Sequence, residues 1–288
     1  MNATELARER TGDINAAARQ RILSRKGEPL FLADWDRAVF IHYEIDPEIL
    51  QREVPFQLDL RDGKAYVSLV AFTLRRMRPR LGGRLAEWFF KPIATHEFLN
   101  VRTYVRHNGE PGIYFLAEWL SNPLSVHLGP RAFGLPYRFG KIEYRHEHER
   151  GELHGMVSEG GAPHAVRVSS WQNSNGAHGV TRPTCRLEYS AEINPDSEFN
   201  PCAEDLLEEF LVERYTAFTH WKNKSRFFRI WHPPWPQTPI EMKILDDSLL
   251  TRTWPWFKNA RLIGANYSPG VFDVWMGRPH EMDRCRLR

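Results

Sequence analysis

Cysteine is scarce in this chain. Three are present in 288 residues, Cys185, Cys202 and Cys285, widely spaced and without a CxxC pair. An odd number at such spacing excludes a disulfide framework and fits a reduced, cytosolic setting. Long apolar runs are missing as well, since none approaches the roughly 20 residues that span a bilayer. The N-terminus has no apolar segment of the kind a secretory signal needs, and Glu5, Glu9 and Asp13 speak against an organelle transit peptide. Net charge is only +3, with the signs interspersed, so composition does not point to nucleic acid. Internal repeats and low-complexity tracts are absent. The expectation is a cytoplasmic protein that binds neither nucleic acid nor membrane.

What is abundant is core material. Apolar residues make up 42% of the chain, and the ten tryptophans suit both a sizeable core and a ligand pocket. Residues 1–27 are charged and alanine-rich, with thin apolar content at Leu6, Ile14, Ile22 and Leu23. They read as a helical or loosely ordered arm, a surface appendage or a homodimer contact. Gly27–Glu28–Pro29 marks a boundary, after which residues 28–280 read as one domain and 281–288 as a tail. Strands are expected at Val39–Tyr43, Lys64–Leu74, 98–107, 112–120, Phe139–His148, Glu152–Ser158, Val166–Trp171, Thr184–Glu192, Phe227–His232 and Val271–Met276. Asp46 caps a short helix with Pro47 at its first position. Leu207, Phe210, Leu211, Tyr215 and Phe218 recur at helical spacing behind Glu204, Asp205, Glu208 and Glu209, which predicts an amphipathic helix over 203–219. The whole reads as mainly β, a barrel or a sandwich.

One strand carries charge inside a core pattern. In His96–Glu97–Phe98–Leu99–Asn100–Val101–Arg102–Thr103–Tyr104–Val105, Leu99, Val101, Thr103 and Val105 share one face, and Asn100, Arg102 and Tyr104 share the other. Glu97 is in register with the apolar row, so its carboxylate is predicted to lean inward. A buried carboxylate must be paired, protonated or used. Further on, Gly134 and Pro136 fix a tight bend that delivers Tyr137 and Arg138 to the next strand.

The elements from Glu97 to Val105, Pro111–Gly112–Ile113–Tyr114–Phe115, Gly134–Leu135–Pro136–Tyr137, Phe210–Leu211–Val212–Glu213–Arg214–Tyr215 and His232–Pro233–Pro234–Trp235–Pro236 occur in this order. Together with the segment from Asp59 to Phe72, they resemble the YqjF-like proteins, a family of unknown function within the acetoacetate decarboxylase-like superfamily. The resemblance spans roughly residues 30–275. It implies a closed β-barrel with a central cavity. The superfamily's decarboxylases form an imine through a lysine that a neighbouring cation keeps reactive. That lysine pair follows the proline at the bend; here Tyr137–Arg138 stands instead, and neither forms an imine. The decarboxylases also carry a glutamate about 40 residues upstream, an offset that Glu97 matches.

The residues left for chemistry are Glu97 as general acid or base with Tyr137. For binding a carboxylate or carbonyl compound they are Arg102, Tyr104, Arg131, Arg138, His232 and Trp235. Lys141, four residues beyond Tyr137, is the one substitute amine weighed, and it reads as a solvated strand residue. His146, His148 and His154 sit in a charged hairpin that reads as solvated rather than as a metal site, and no motif calls for a cofactor. The run Arg75–Arg84 reads as a solvated loop. Two functions stay open: an enzyme acting on a small organic or keto acid by general acid/base chemistry, and a non-catalytic small-molecule-binding module.

Overall fold

The computed structural model describes residues 3–159, 185–201 and 206–282. The expected strand at Val166–Trp171 lies outside them. The chain begins with helix α1 (Ala3–Leu23), strand β1 (Phe31–Ile45), helix α2 (Pro47–Gln51) and strands β2 (Gln57–Leu58) and β3 (Ala65–Pro79). Helix α3 (Gly83–Phe90) and a 3-10 turn at Lys91–Ile93 lead to β4 (His96–His107), β5 (Glu110–Leu120), helix α4 (Pro123–Phe133), β6 (Tyr137–Glu147) and β7 (Glu152–Glu159). Then come β8 (Arg186–Glu192), α5 (Leu206–Val212), β9 (Thr216–Trp221), β10 (Lys224–Trp231), β11 (Thr238–Pro239) and β12 (Glu241–Asp246). Helix α6 (Ser248–Thr253), β13 (Arg261–Met276) and β14 (His280–Glu281) complete it. The Asp46 cap is as expected, its Oδ1 accepting from the Glu48 and Ile49 amides at 2.8 and 3.1 Å.

Strand pairing returns on itself. The order β5-β9-β10-β13-β1-β3-β4 is closed by pairing of β4 with β5, which makes a ring of strands. β6 joins this ring by parallel pairing with β5 and continues into a second layer, β6-β7-β8-β12. Ring strands therefore have two buried faces. One row (Leu69 and Ala71 of β3, Leu99 and Val101 of β4) packs against Leu153, Val157, Leu187 and Tyr189 of the second layer. The alternate row (Val70 and Phe72 of β3, Phe98 and Tyr104 of β4) faces the ring interior.

One expectation needs correction here. The helix over 203–219 is shorter: α5 ends at Val212, and Thr216–Trp221 is a strand hydrogen-bonded to β10 and, in parallel, to β5. The segment Thr216–Ala217–Phe218–Thr219 suits a pleated surface, and a place in the middle of the ring outweighs the helical spacing of Tyr215 and Phe218. The arm is helical, one of the two readings the sequence offered, and it is seated on the domain that follows. Helix α1 lies on its own ring, with Ile22 and Ala18 buried. The Thr11 hydroxyl and the Arg10 guanidinium donate to Glu209 Oε2 at 2.8 and 2.9 Å, and Asn15 Nδ2 donates to Tyr215 Oη at 2.9 Å.

The basic run is also more ordered than a solvated loop. Arg75, Arg76 and Arg78 belong to β3 and pair with Asp36, Asp34 and Asp273. No helix among the described residues is long and apolar enough to cross a membrane.

Candidate functional site

The ring interior is not filled. A cavity of about 520 Å³ opens against Phe72, Phe98, Ile113, Phe115, Phe228 and Ile230, with a small polar set among them. Such a size and an apolar lining with few polar groups are those of a ligand site. Arg102, Asn100 and His96 enter from β4, Glu118 from β5, Tyr137 from β6, and Arg214, His232 and Trp235 from the segments flanking β9 and β10.

The polar row of β4 thus faces the cavity, and the apolar row faces the second layer. Glu97, in register with the apolar row, does not line the cavity. It is half-buried at the edge of the inter-layer core, where its Oε2 accepts from the Ser121 hydroxyl at 2.5 Å. The expectation that Glu97 leans into the cavity is corrected. Alternation placed it on the buried face, but both faces of this strand are buried.

The carboxylate that does enter is Glu118, 3% exposed. A β-bulge delivers it. Val101 pairs with Ala117 and the next residue, Arg102, pairs with Phe115, so Leu116 is skipped. Before the bulge Ile113 and Phe115 point inward; beyond it Glu118 and Leu120 do. Simple alternation from Phe115 sends Glu118 outward, which is why sequence reasoning missed it. The available signal was a lone carboxylate in the apolar stretch Ile113–Leu120.

Glu118 stands opposite Asn100 on one side and Tyr137 on the other. Its Oε2 is buried without a hydrogen-bond partner, and burial pushes its carboxyl well above the usual range, so the neutral acid is favoured. Burial, with the nearby Glu118 carboxylate, likewise raises the Tyr137 phenol. Helix α4 seats that ring. Gly134, at φ 75°, ends the helix as the bend required, and a Cβ on Gly129 would lie 2.1 Å from Tyr137 Cε2.

Arg102 is 7% exposed, and among the described residues no carboxylate lies within salt-bridge distance of it. Its Nη2 donates to the Leu211 carbonyl at 3.0 Å at the end of α5, and its Nε has no partner. Arg214, by contrast, is paired with buried Asp59 at 2.9 Å and lies 4.1 Å over the Phe210 ring. His232 is buried and held near pKa 4 by desolvation, hence neutral, and its ring stacks on Tyr215 at 4.8 Å. Desolvation also holds His96 at about 4; neither of its ring nitrogens meets a partner of good geometry, and its ring lies against Phe98.

Of the expected site residues, the structure brings Arg102, Arg131, Tyr137, His232 and Trp235 to the cavity. Arg131 sits at the exposed rim, where Nη1 donates to the His127 carbonyl at 2.7 Å. Tyr104 lies in the ring interior but does not line the cavity. Its hydroxyl donates to Leu211 O at 2.7 Å and lies 2.5 Å from Ser68 Oγ, itself 2.7 Å from His42 Nδ1. Arg138 points to the other face, over the Trp119 ring and toward Glu159. Lys141 is exposed and paired with Glu143 at 2.7 Å; no lysine is among the described residues lining the cavity. The hairpin histidines are only partly solvated. His146 is buried between the Arg37 carbonyl at 2.8 Å and the Tyr189 hydroxyl at 2.9 Å, and His148 Nδ1 lies 2.8 Å from Tyr267 Oη.

This architecture defines the class first. The fold is that of acetoacetate decarboxylase and its relatives. The chain is similar to acetoacetate decarboxylase of Legionella pneumophila, with TM-score 0.57 and 14% identity over 88% of this chain and 87% of that one. It is similar to an acetoacetate decarboxylase-like enzyme of Sphingomonas wittichii RW1, with TM-score 0.56 and 13% identity over 88% and 94% of the two chains. It is also similar to the enduracididine biosynthesis enzyme MppR complexed with pyruvate, with TM-score 0.53 and 12% identity over 88% and 90%. Residues 32–270 match the DUF2071 family, an uncharacterized conserved protein. The chain is 31% identical over 219 residues to the uncharacterized protein YqjF of Bacillus subtilis (strain 168), covering 73% of this chain and 76% of that protein. It belongs to the DUF2071, YqjF-like family.

Proposed function

We propose that the ring is a barrel-like container whose cavity binds a small organic acid, with the carboxylate seated on Arg102. The observation that carries this is the buried guanidinium of Arg102, whose Nε has no hydrogen-bond partner and which has no carboxylate at salt-bridge distance among the described residues, the buried Glu213 acting on it only from further off. An isolated buried charge is costly, and an incoming carboxylate offsets that cost with charge-assisted hydrogen bonds. Asn100, beside Arg102 on the same face of β4, and neutral His232 supply further polar contacts. The solved relative with pyruvate in its complex supports a small acid as the ligand class.

We further propose that Glu118 and Tyr137 act on a carbonyl group of that acid by proton transfer. Solvent water takes the proton from the α-carbon and returns one to it, while the Glu118 carboxyl, kept neutral by burial, and the Tyr137 phenol beside it donate hydrogen bonds to the developing enolate oxygen. This chemistry needs no imine, in keeping with the lack of a lysine among the described residues that line the cavity. Exchange of the α-protons of a 2-keto acid in deuterium oxide, followed by NMR, is the test. The wild-type protein is expected to accelerate exchange, and Glu118→Gln to lose at least about 100-fold of that acceleration. Absence of exchange with retained acid binding would favour the second reading, a binding module. Borohydride with β-keto acids is expected to trap no covalent adduct.

A further inference from the structure

The polar groups are not spread evenly through the cavity. On β4 the lining runs from Arg102 to His96, six residues or about 20 Å of strand. The buried cations Arg102 and Arg214 stand at one end beside the neutral His232, and Asn100 and Glu118 follow one step along the strand. The other end is built from Leu74 and Met77 of β3, Phe90 and Ile93 beside α3, and Leu128 and Phe133 of α4. That end also holds His96 and opens at a rim where the exposed Arg131 stands among apolar side chains. Leu128 lines the cavity yet is 43% exposed, and Leu85, Trp88 and Phe89 of α3, next to Phe90, are 66–69% exposed. Isolated exposed leucines need no explanation, but several large exposed apolar side chains on the helix beside a ligand cavity do. A three-carbon acid on Arg102 would leave most of this wall uncovered.

We infer that the cavity takes an amphiphilic monocarboxylic acid of about eight to twelve carbons, its carboxylate on Arg102 and its tail along the Leu74, Met77 and Ile93 neck to the α3–α4 rim. This rests on the seating of the carboxylate proposed above.

The test is calorimetric titration of the full chain with pyruvate, hexanoate, octanoate, decanoate and the neutral control decanol. Affinity is expected to rise about threefold to fourfold per added methylene from hexanoate to decanoate. One equivalent should bind, and pyruvate should bind at least 100-fold more weakly than octanoate. Ile93→Trp, at the half-buried neck, is expected to weaken decanoate more than tenfold and to leave hexanoate within twofold. Met77→Trp blocks the same neck from another strand and should do likewise. A flat series that still depends on Arg102, or neck variants that leave decanoate unchanged, would overturn the long-tail inference and spare the Arg102 seat. Decanol binding as tightly as decanoate would overturn the seat and, with it, the acid named here. Binding of no acid at all would overturn both.

Discussion

Replacing Arg102 with methionine should raise stability while removing acid binding, a pairing that a merely structural arginine does not produce. The wild-type side chain holds a charge in the wall of an apolar cavity with no carboxylate at salt-bridge distance among the described residues. The penalty for such an ion is several kcal/mol even after relaxation. Against it stand one charge-assisted hydrogen bond to Leu211 O, about 1.5–3 kcal/mol, and a guanidinium placed 5.9 Å from the Phe40 ring, about 0.5–1 kcal/mol. Leu211 O is not orphaned by the change, because the Tyr104 hydroxyl still donates to it at 2.7 Å. Methionine fills similar volume with an apolar chain. The net expectation is a gain of about 1–3 kcal/mol, read as a shift of the urea midpoint at unchanged slope. In the same experiment octanoate at 100 times its Kd should stabilise the wild type by about 2.7 kcal/mol and leave Arg102→Met unmoved. A loss of more than about 2 kcal/mol in the variant, with octanoate stabilisation intact, would refute the reasoning and make Arg102 an ordinary structural cation.

Glu118→Gln should stabilise the protein increasingly with pH. A carboxyl raised by burial contributes fully below its unfolded value near 4.5 and loses that contribution as pH climbs toward its folded value, by about 1.4 kcal/mol for each pH unit between the two. Urea unfolding of both proteins at pH 4, 6 and 8 checks this, and a constant gap would count against it. Glu213 is held at about 7 by burial, despite hydrogen bonds from the Tyr215 hydroxyl at 2.5 Å and the Trp235 amide at 2.9 Å. The gap between Glu213→Gln and wild type should therefore grow between pH 4.5 and 7 to at most about 3 kcal/mol and then level off, by the same titration. Gly129→Ala should cost about 1–3 kcal/mol and displace Tyr137, because the added methyl lands on its ring. A thermal melt together with loss of α-proton exchange reads both effects, and a variant with wild-type values for each would contradict the seating described here.

Much of the fold was legible because its signals are local. Asp46 before Pro47, Gly134 and Pro136 at the bend before Tyr137, and the β-branched runs of the ring strands are short-range patterns with few alternatives. The ordered motifs from Glu97 to Trp235 marked the family. Less legible were elements whose state depends on distant partners. Thr216–Trp221 follows a helix with matching periodicity, and only pairing with β5 and β10 makes it a strand. Helix α1 has little apolar content, yet Ile22 is buried, and Thr11 and Asn15 find partners 198 and 200 residues away.

The candidate site divides along the same line. From the amino-acid order alone it follows that Arg102 shares a face with Asn100 and Tyr104, that Tyr137 leaves a glycine–proline bend, and that no lysine stands at that bend. These statements need only the two-residue repeat of a strand and the geometry of a turn. Which face of β4 looks into the cavity was decided by the second layer, which buries the apolar row and leaves the polar row to the ring interior. Which carboxylate enters was decided by the skipped residue Leu116, a change of phase that arises from how β5 pairs with β4 and that the sequence marks only by a lone carboxylate in an apolar stretch.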